Sequence, residues 1–170
     1  MAEPTPDQPR AGRPAEPRAE PRAGRRGVRI GVDVGSVRVG VALSDPEGRL
    51  ATPLETLARG EGDLDRLVGL VAEHDALEVV VGLPRTLRGE EGAAAIAARG
   101  YATSLAGRIA PVPVRLVDER LSTVRATRGL RAAGVDARRA RSVVDQAAAV
   151  EILQHALDSD ARARPGVSDG

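Results

Sequence analysis

The chain has 170 residues, a near balance of 25 basic and 24 acidic side chains, and no cysteine; one domain is the default, and disulfides, thiolate metal sites and cysteine nucleophiles are excluded. Tyr101 is the only Phe, Trp or Tyr, which argues against a binder that stacks bases on aromatic platforms and leaves the backbone as the handle on any nucleic acid. No apolar stretch is long enough to span a bilayer, so no membrane partner is expected and a cytoplasmic place is simplest.

Residues 1–27 hold six prolines, six arginines and four acids with almost no large apolar side chain. Such a segment cannot bury enough surface to offset its ordering entropy, so a disordered tail is expected. It also lacks the apolar core of a secretory signal. Two β-rich runs follow, Val28–Val34 and Val37–Leu43, with Gly35-Ser36 as a hairpin turn. A third strand is expected over Leu50–Leu57. Leu64, Leu67, Val68 and Val71 then recur at helical spacing within Asp63–His74, with Asp63 or Gly62 as cap. Glu78–Val81 is a continuous apolar run, which suits a strand covered on both faces. A loop rich in Arg and Gly (85–92), an Ala-rich helix (92–109), a strand (Val112–Val117) and helices over Ser122–Ala133 and Asp136–Leu157 complete the pattern. The order βββαβαβαα predicts an α/β protein, a mixed five-stranded sheet with helices packed on it. The folded unit is expected over 28–158, with 159–170 as a flexible C-terminal tail.

Charge is uneven along this domain. Residues 120–141 carry seven arginines and one acid, Asp136, which suits either a phosphate-binding surface or a solvated helical face.

Three acids have the most legible settings. Asp33 closes the run Arg29–Gly35 and, at period two, shares a face with Gly31 and Gly35, whose lack of bulk leaves room for a ligand or metal. Against this stands a plain strand-end Asp bonded to its turn. Glu119 follows the strand ending at Val117; Asp118 and Glu119 point to opposite sides if the strand continues, so only one faces a shared site. Acids before a helix start are also favoured by its dipole, with Ser122 as N-cap. Asp145 falls on the helical face of Ala148, Ala149, Ile152 and Ala156. A carboxylate there needs compensation, which a cation would supply, unless that helix end is wet. Ser142, one turn earlier, is a candidate hydrogen-bond partner. His74 and His155 have no partner at ligand spacing, and Ser36, Ser122 and Thr123 lack a histidine base, so a serine-hydrolase triad is not expected.

Four motifs occur in order: Gly-Val-Asp-Val-Gly-Ser-Val-Arg-Val-Gly-Val-Ala-Leu-Ser-Asp (31–45), Val-Val-Gly-Leu-Pro (80–84), Asp-Glu-Arg-Leu-Ser-Thr (118–123) and Asp-Gln-Ala-Ala-Ala-Val-Glu-Ile-Leu-Gln (145–154). With them the chain resembles, over about 28–158, the YqgF family, also called RuvX, of pre-16S ribosomal RNA nucleases related to Holliday-junction resolvases. The resemblance implies an RNase H-like fold, Mg²⁺ or Mn²⁺ dependence, and a role in maturing the 5′ end of 16S rRNA. Asp33, Glu119 and Asp145 match the family's catalytic, metal-holding acids. Many relatives carry a basic pair just before the last of these; here the stretch is Arg141-Ser142-Val143-Val144.

Together these features predict phosphodiester hydrolysis at a two-metal site. Arg38, Arg85, Arg88, Arg120, Arg125 and Arg128 are the candidate contacts to nucleic-acid phosphates. A Holliday-junction resolvase acting on branched DNA is the alternative within the class and requires a homodimer rather than a monomer. A non-catalytic RNA-binding module and an actin-like nucleotide-binding fragment, suggested by Gly-Val-Asp-Val-Gly-Ser, are the alternatives outside it.

Overall fold

The structure, a computed structural model, describes residues 25–86, 88–119 and 137–164. The helix predicted over Ser122–Ala133, most of the N-terminal tail, and residues 165–170 lie outside the described residues.

Strands β1 (Arg29–Val34), β2 (Arg38–Ser44), β3 (Ala51–Ala58), β4 (Glu78–Leu83) and β5 (Val114–Asp118) form one sheet in the order β3-β2-β1-β4-β5. The first three are an antiparallel meander, while β1, β4 and β5 run parallel. The mixed five-stranded α/β sheet is therefore as expected. The hairpin differs slightly: Val37 joins the turn, which Gly35 closes by donating its N–H to the Arg38 carbonyl at 2.9 Å. A side chain at Gly35 would run into that same carbonyl.

Alternation along the strands builds two cores. Ile30, Val32, Val39, Val41, Val79 and Val81 face α1 (Asp63–Glu73) and α2 (Ala93–Ile109). Ala42 and Val80 face the long helix α3 (Ala137–Ala163), which supplies Ala149, Ile152, Leu153 and Ala156. Burial of β4 on both sides explains its unbroken apolar run. Burying a side chain such as Leu153 contributes about 2 kcal/mol.

The close seating of α3 depends on missing side chains. A Cβ on Gly31 would lie 2.6 Å from Leu153 Cβ and 2.9 Å from the Ala149 carbonyl oxygen. The space beside Asp33 that the sequence assigns to a ligand is, at Gly31, filled by this helix. A backbone without Cβ lets the helix approach closely, and the helix takes the room.

Polar bonds hold α3 along its length. Gln154 accepts the Ala51 N–H and donates to the Arg49 carbonyl, both at 2.9 Å. Arg115 of β5 reaches both carboxylate oxygens of Asp160 at 3.0 Å and Glu78 at 2.9 Å. Burial opposes the Arg115 charge, but these two carboxylates outweigh it and raise its pKa. Ser159–Ala163, assigned from sequence to the flexible tail, therefore belong to the helix, because an ion pair to the sheet secures that end.

Candidate active site

The parallel strands β1, β4 and β5 end on one edge of the sheet, where open α/β sheets place their ligands. One row across that edge organises the site. Asp33 pairs with Gly40 of β2, and Gly40 with Thr56 of β3. On the other side, continuing the Val32–Val81 register by one residue sets Asp33 beside Gly82 of β4. In-register neighbours project from the same face, with strands about 5 Å apart. Asp33 is thus a buried carboxylate flanked on both sides by glycine.

Each glycine lies beneath another acid. A methyl group on Gly40 would overlap the backbone carbonyl of Asp145, and one on Gly82 would overlap Glu119 Oε1. The helix brings in the first acid and the end of β5 the second. Asp33, Glu119 and Asp145 consequently line one cleft of about 360 Å³, together with Gly35, Ser36, Val37, Arg38, Pro84 and Ala94. Sequence spacing did not expose this cradle. Its signal was present, since a glycine inside a strand pattern, as in Val39–Val41 and Val81–Leu83, marks close approach by another group.

Asp118 and Glu119 diverge. Glu119 enters the cleft, whereas Asp118 pairs with Arg85 Nε at 3.4 Å on the side of the 84–92 loop. Arg85 also pairs with Glu91 at 3.4 Å and donates to the Gly89 carbonyl at 3.2 Å. These contacts tie the loop to the end of β5. A hydrogen bond from Arg99, reinforced by both arginines' charges, holds the Glu91 carboxyl below its usual range. Arg88 is exposed on the same loop. Arg120, Arg125 and Arg128 lie outside the described residues.

Arg38 stands in the cleft itself. Its Nε donates to Asp145 Oδ2 at 2.7 Å, and this guanidinium compensates the helix carboxylate. Ser142, the other candidate partner of Asp145, is bonded instead to Thr56. Among the described residues, no group of three or more acidic or histidine side chains is already gathered at metal-binding distance. The donors nonetheless fit a hard divalent cation in kind: three carboxylates on one cleft, with a glycine cradle that a Cβ would fill.

The RuvX family model, described as Holliday junction resolvase, matches residues 27–159. The chain belongs to the RuvX family. A relative from Frankia casuarinae is 61% identical over 139 residues, covering 79% of this chain and 69% of that protein. One from Mycobacterium ulcerans is 55% identical over 160 residues, covering 93% and 94%. Both bear the name "Putative pre-16S rRNA nuclease". Among solved structures, T. thermophilus RuvC in complex with Holliday junction substrate aligns with a TM-score of 0.50 at 18% identity, covering 80% of this chain and 96% of that one. At that identity the likeness concerns the fold, which is RNase H-like. No helix among the described residues is long and apolar enough to cross a membrane.

Proposed function

We propose that this RuvX-family protein is a metal-dependent nuclease that hydrolyses phosphodiester bonds. The observation that carries the proposal is the row Gly40–Asp33–Gly82, with Asp145 above the first glycine and Glu119 above the last. Three acids from elements distant in sequence meet on one cleft, whose lining among the described residues includes no histidine or lysine. Asp33, at the centre of the row, would anchor Mg²⁺ or Mn²⁺, with Glu119 and Asp145 completing the carboxylate set. A bound divalent cation supplies Lewis acidity and an activated water. The protein's own contribution is positional: a rigid strand for Asp33, a helix for Asp145, and a strand end for Glu119.

The substrate proposed is the precursor of 16S rRNA, acted on in the cytoplasm at its 5′ end. Support for the substrate class comes from the name shared by relatives of 61% and 55% identity. Gripping the substrate by its phosphates agrees with a chain holding 25 basic residues and one Tyr as its whole complement of Phe, Trp and Tyr.

The test is cleavage of a precursor rRNA fragment with Mg²⁺ by Asp33→Asn, Glu119→Gln and Asp145→Asn. Each variant is expected to lose at least a hundredfold in rate, roughly what loss of a transition-state electrostatic contact produces. Cleavage at the normal rate by any one of them removes that residue from the site. Addition of EDTA is expected to abolish cleavage by the unmodified protein.

A further inference from the structure

Arg38 occupies an unusual position. It projects from β2 into the same cleft as the three acids, and its Nε lies 2.7 Å from Asp145 Oδ2. The two side chains are only 28% and 20% exposed, so the pair sits on the cleft wall, screened less than a surface pair yet open to exchange. The Arg38 backbone is fixed within β2 and accepts the Gly35 N–H at 2.9 Å, so any rearrangement is confined to the side chain.

A guanidinium and a divalent cation repel each other when they share one carboxylate. Asp145 therefore favours one or the other. A guanidinium released from Asp145 would remain in the cleft, and its planar fork suits phosphate oxygens.

Resting on the proposed metal-held nuclease site, we infer that Arg38 is an exchangeable counter-charge: it holds Asp145 until a divalent cation binds there, then turns to the phosphodiester of the substrate. Cation and nucleic acid thereby strengthen each other's binding, with Arg38 as the coupling group. Arg38 is a positioning residue for Asp145 in the first state and a substrate contact in the second.

The test is isothermal titration of the full chain with Mn²⁺, comparing wild type, Arg38→Met and Arg38→Lys. Removing the competing charge is expected to tighten Mn²⁺ binding by about tenfold in Arg38→Met. Arg38→Lys keeps the charge and is expected to stay within about twofold of wild type. Mn²⁺ affinity unchanged or weakened in Arg38→Met, or Arg38→Lys as tight as Arg38→Met, overturns the exchange. A stem-loop RNA, titrated at saturating Ca²⁺, is expected to bind Arg38→Met about fivefold more weakly than wild type, with near-equal binding in EDTA. Equal RNA binding in Ca²⁺ overturns the substrate half. Absence of Mn²⁺ binding in wild type and both variants overturns the metal-held site itself, and the exchange with it.

Discussion

Thr56 of β3 and Ser142 of α3 are joined twice: the Ser142 hydroxyl donates to Thr56 Oγ1 at 3.1 Å, and the Thr56 hydroxyl donates to the Ser142 carbonyl at 3.2 Å. Thr56 is in register with Gly40, which is in register with Asp33. This clasp fixes where the helix crosses the row that carries the central acid, and Asp145 follows one turn later. Thr56→Val keeps the shape and loses both bonds, which is expected to cost about 1–3 kcal/mol. Cleavage should fall with it, while Thr56→Ser should retain most of both. Urea unfolding and cleavage rates of the two variants check this; full activity in Thr56→Val would show that the clasp does not position the site.

The two glycines of the row should respond differently to alanine. At Gly40 the obstacle is the backbone of Asp145, so the helix itself must shift, and Gly40→Ala is expected to lose both stability, by about 2–3 kcal/mol, and cleavage. At Gly82 the obstacles are the end of Glu119 and the tip of Ile152, with Ile152 Cδ1 2.5 Å from the added carbon. Those groups can turn aside, so Gly82→Ala should lose cleavage with a stability loss nearer 1 kcal/mol. Melting curves beside rate measurements separate the two patterns.

At the opposite end of the sheet, Glu78 is buried between Arg29, at 3.2 Å, and Arg115, at 2.9 Å. Removing the shared carboxylate leaves buried positive charge without it, so Glu78→Gln is expected to destabilise by about 3–5 kcal/mol. The Arg115–Asp160 pair is more open to water, and Asp160→Ala should cost under about 1 kcal/mol. Equal effects in denaturant titrations would contradict the burial difference.

Asp45 Oδ1 accepts the N–H groups of Leu50 and Arg49 at 2.8 and 2.7 Å, closing the turn between β2 and β3. The Leu50 hydrogen bond is the chief reason its pKa lies below the ordinary 3.8; slight desolvation opposes it, and the Arg49 N–H and charge assist. A folded-state pKa below the unfolded one gives stability that is present above the unfolded value and lost as pH falls through the folded value. The advantage of wild type over Asp45→Asn should therefore be constant near neutrality and disappear below about pH 4. Urea midpoints of the two proteins across that range test the sign; an advantage growing on acidification would refute it.

Cation binding to the folded state alone should also stabilise the protein. At a hundredfold excess over Kd the expected gain is about 2.7 kcal/mol, visible as a rise in Tm on adding Mn²⁺. Asp145→Asn should show little of it, and an undiminished rise in that variant would place the cation elsewhere.

Much of this molecule is written in local pattern. Period-two alternation in β1 and β2, the unbroken apolar run of β4 and the helical spacing of α1 each state which face is covered, because burial depends on side-chain direction and direction follows secondary-structure period. The face of Asp145 was legible for the same reason: Ala148, Ala149, Ile152 and Ala156 define the stripe that packs. The end of α3 was not, since polar residues after Leu157 resemble a frayed tail until Arg115, more than forty positions away, is seen to hold Asp160.

Residue order alone determined the five-stranded α/β order, the acids worth watching and the side of the last helix that turns inward. Only the tertiary structure decided that Gly40 and Gly82 flank Asp33, that Asp145 and Glu119 cover those glycines, that Asp118 turns away to Arg85, and that Arg38 meets Asp145. Strand alternation and helical wheels are short-range consequences of backbone geometry. Register between strands and the seat of a helix arise from long-range packing, where the absence of a single Cβ determines which groups can touch.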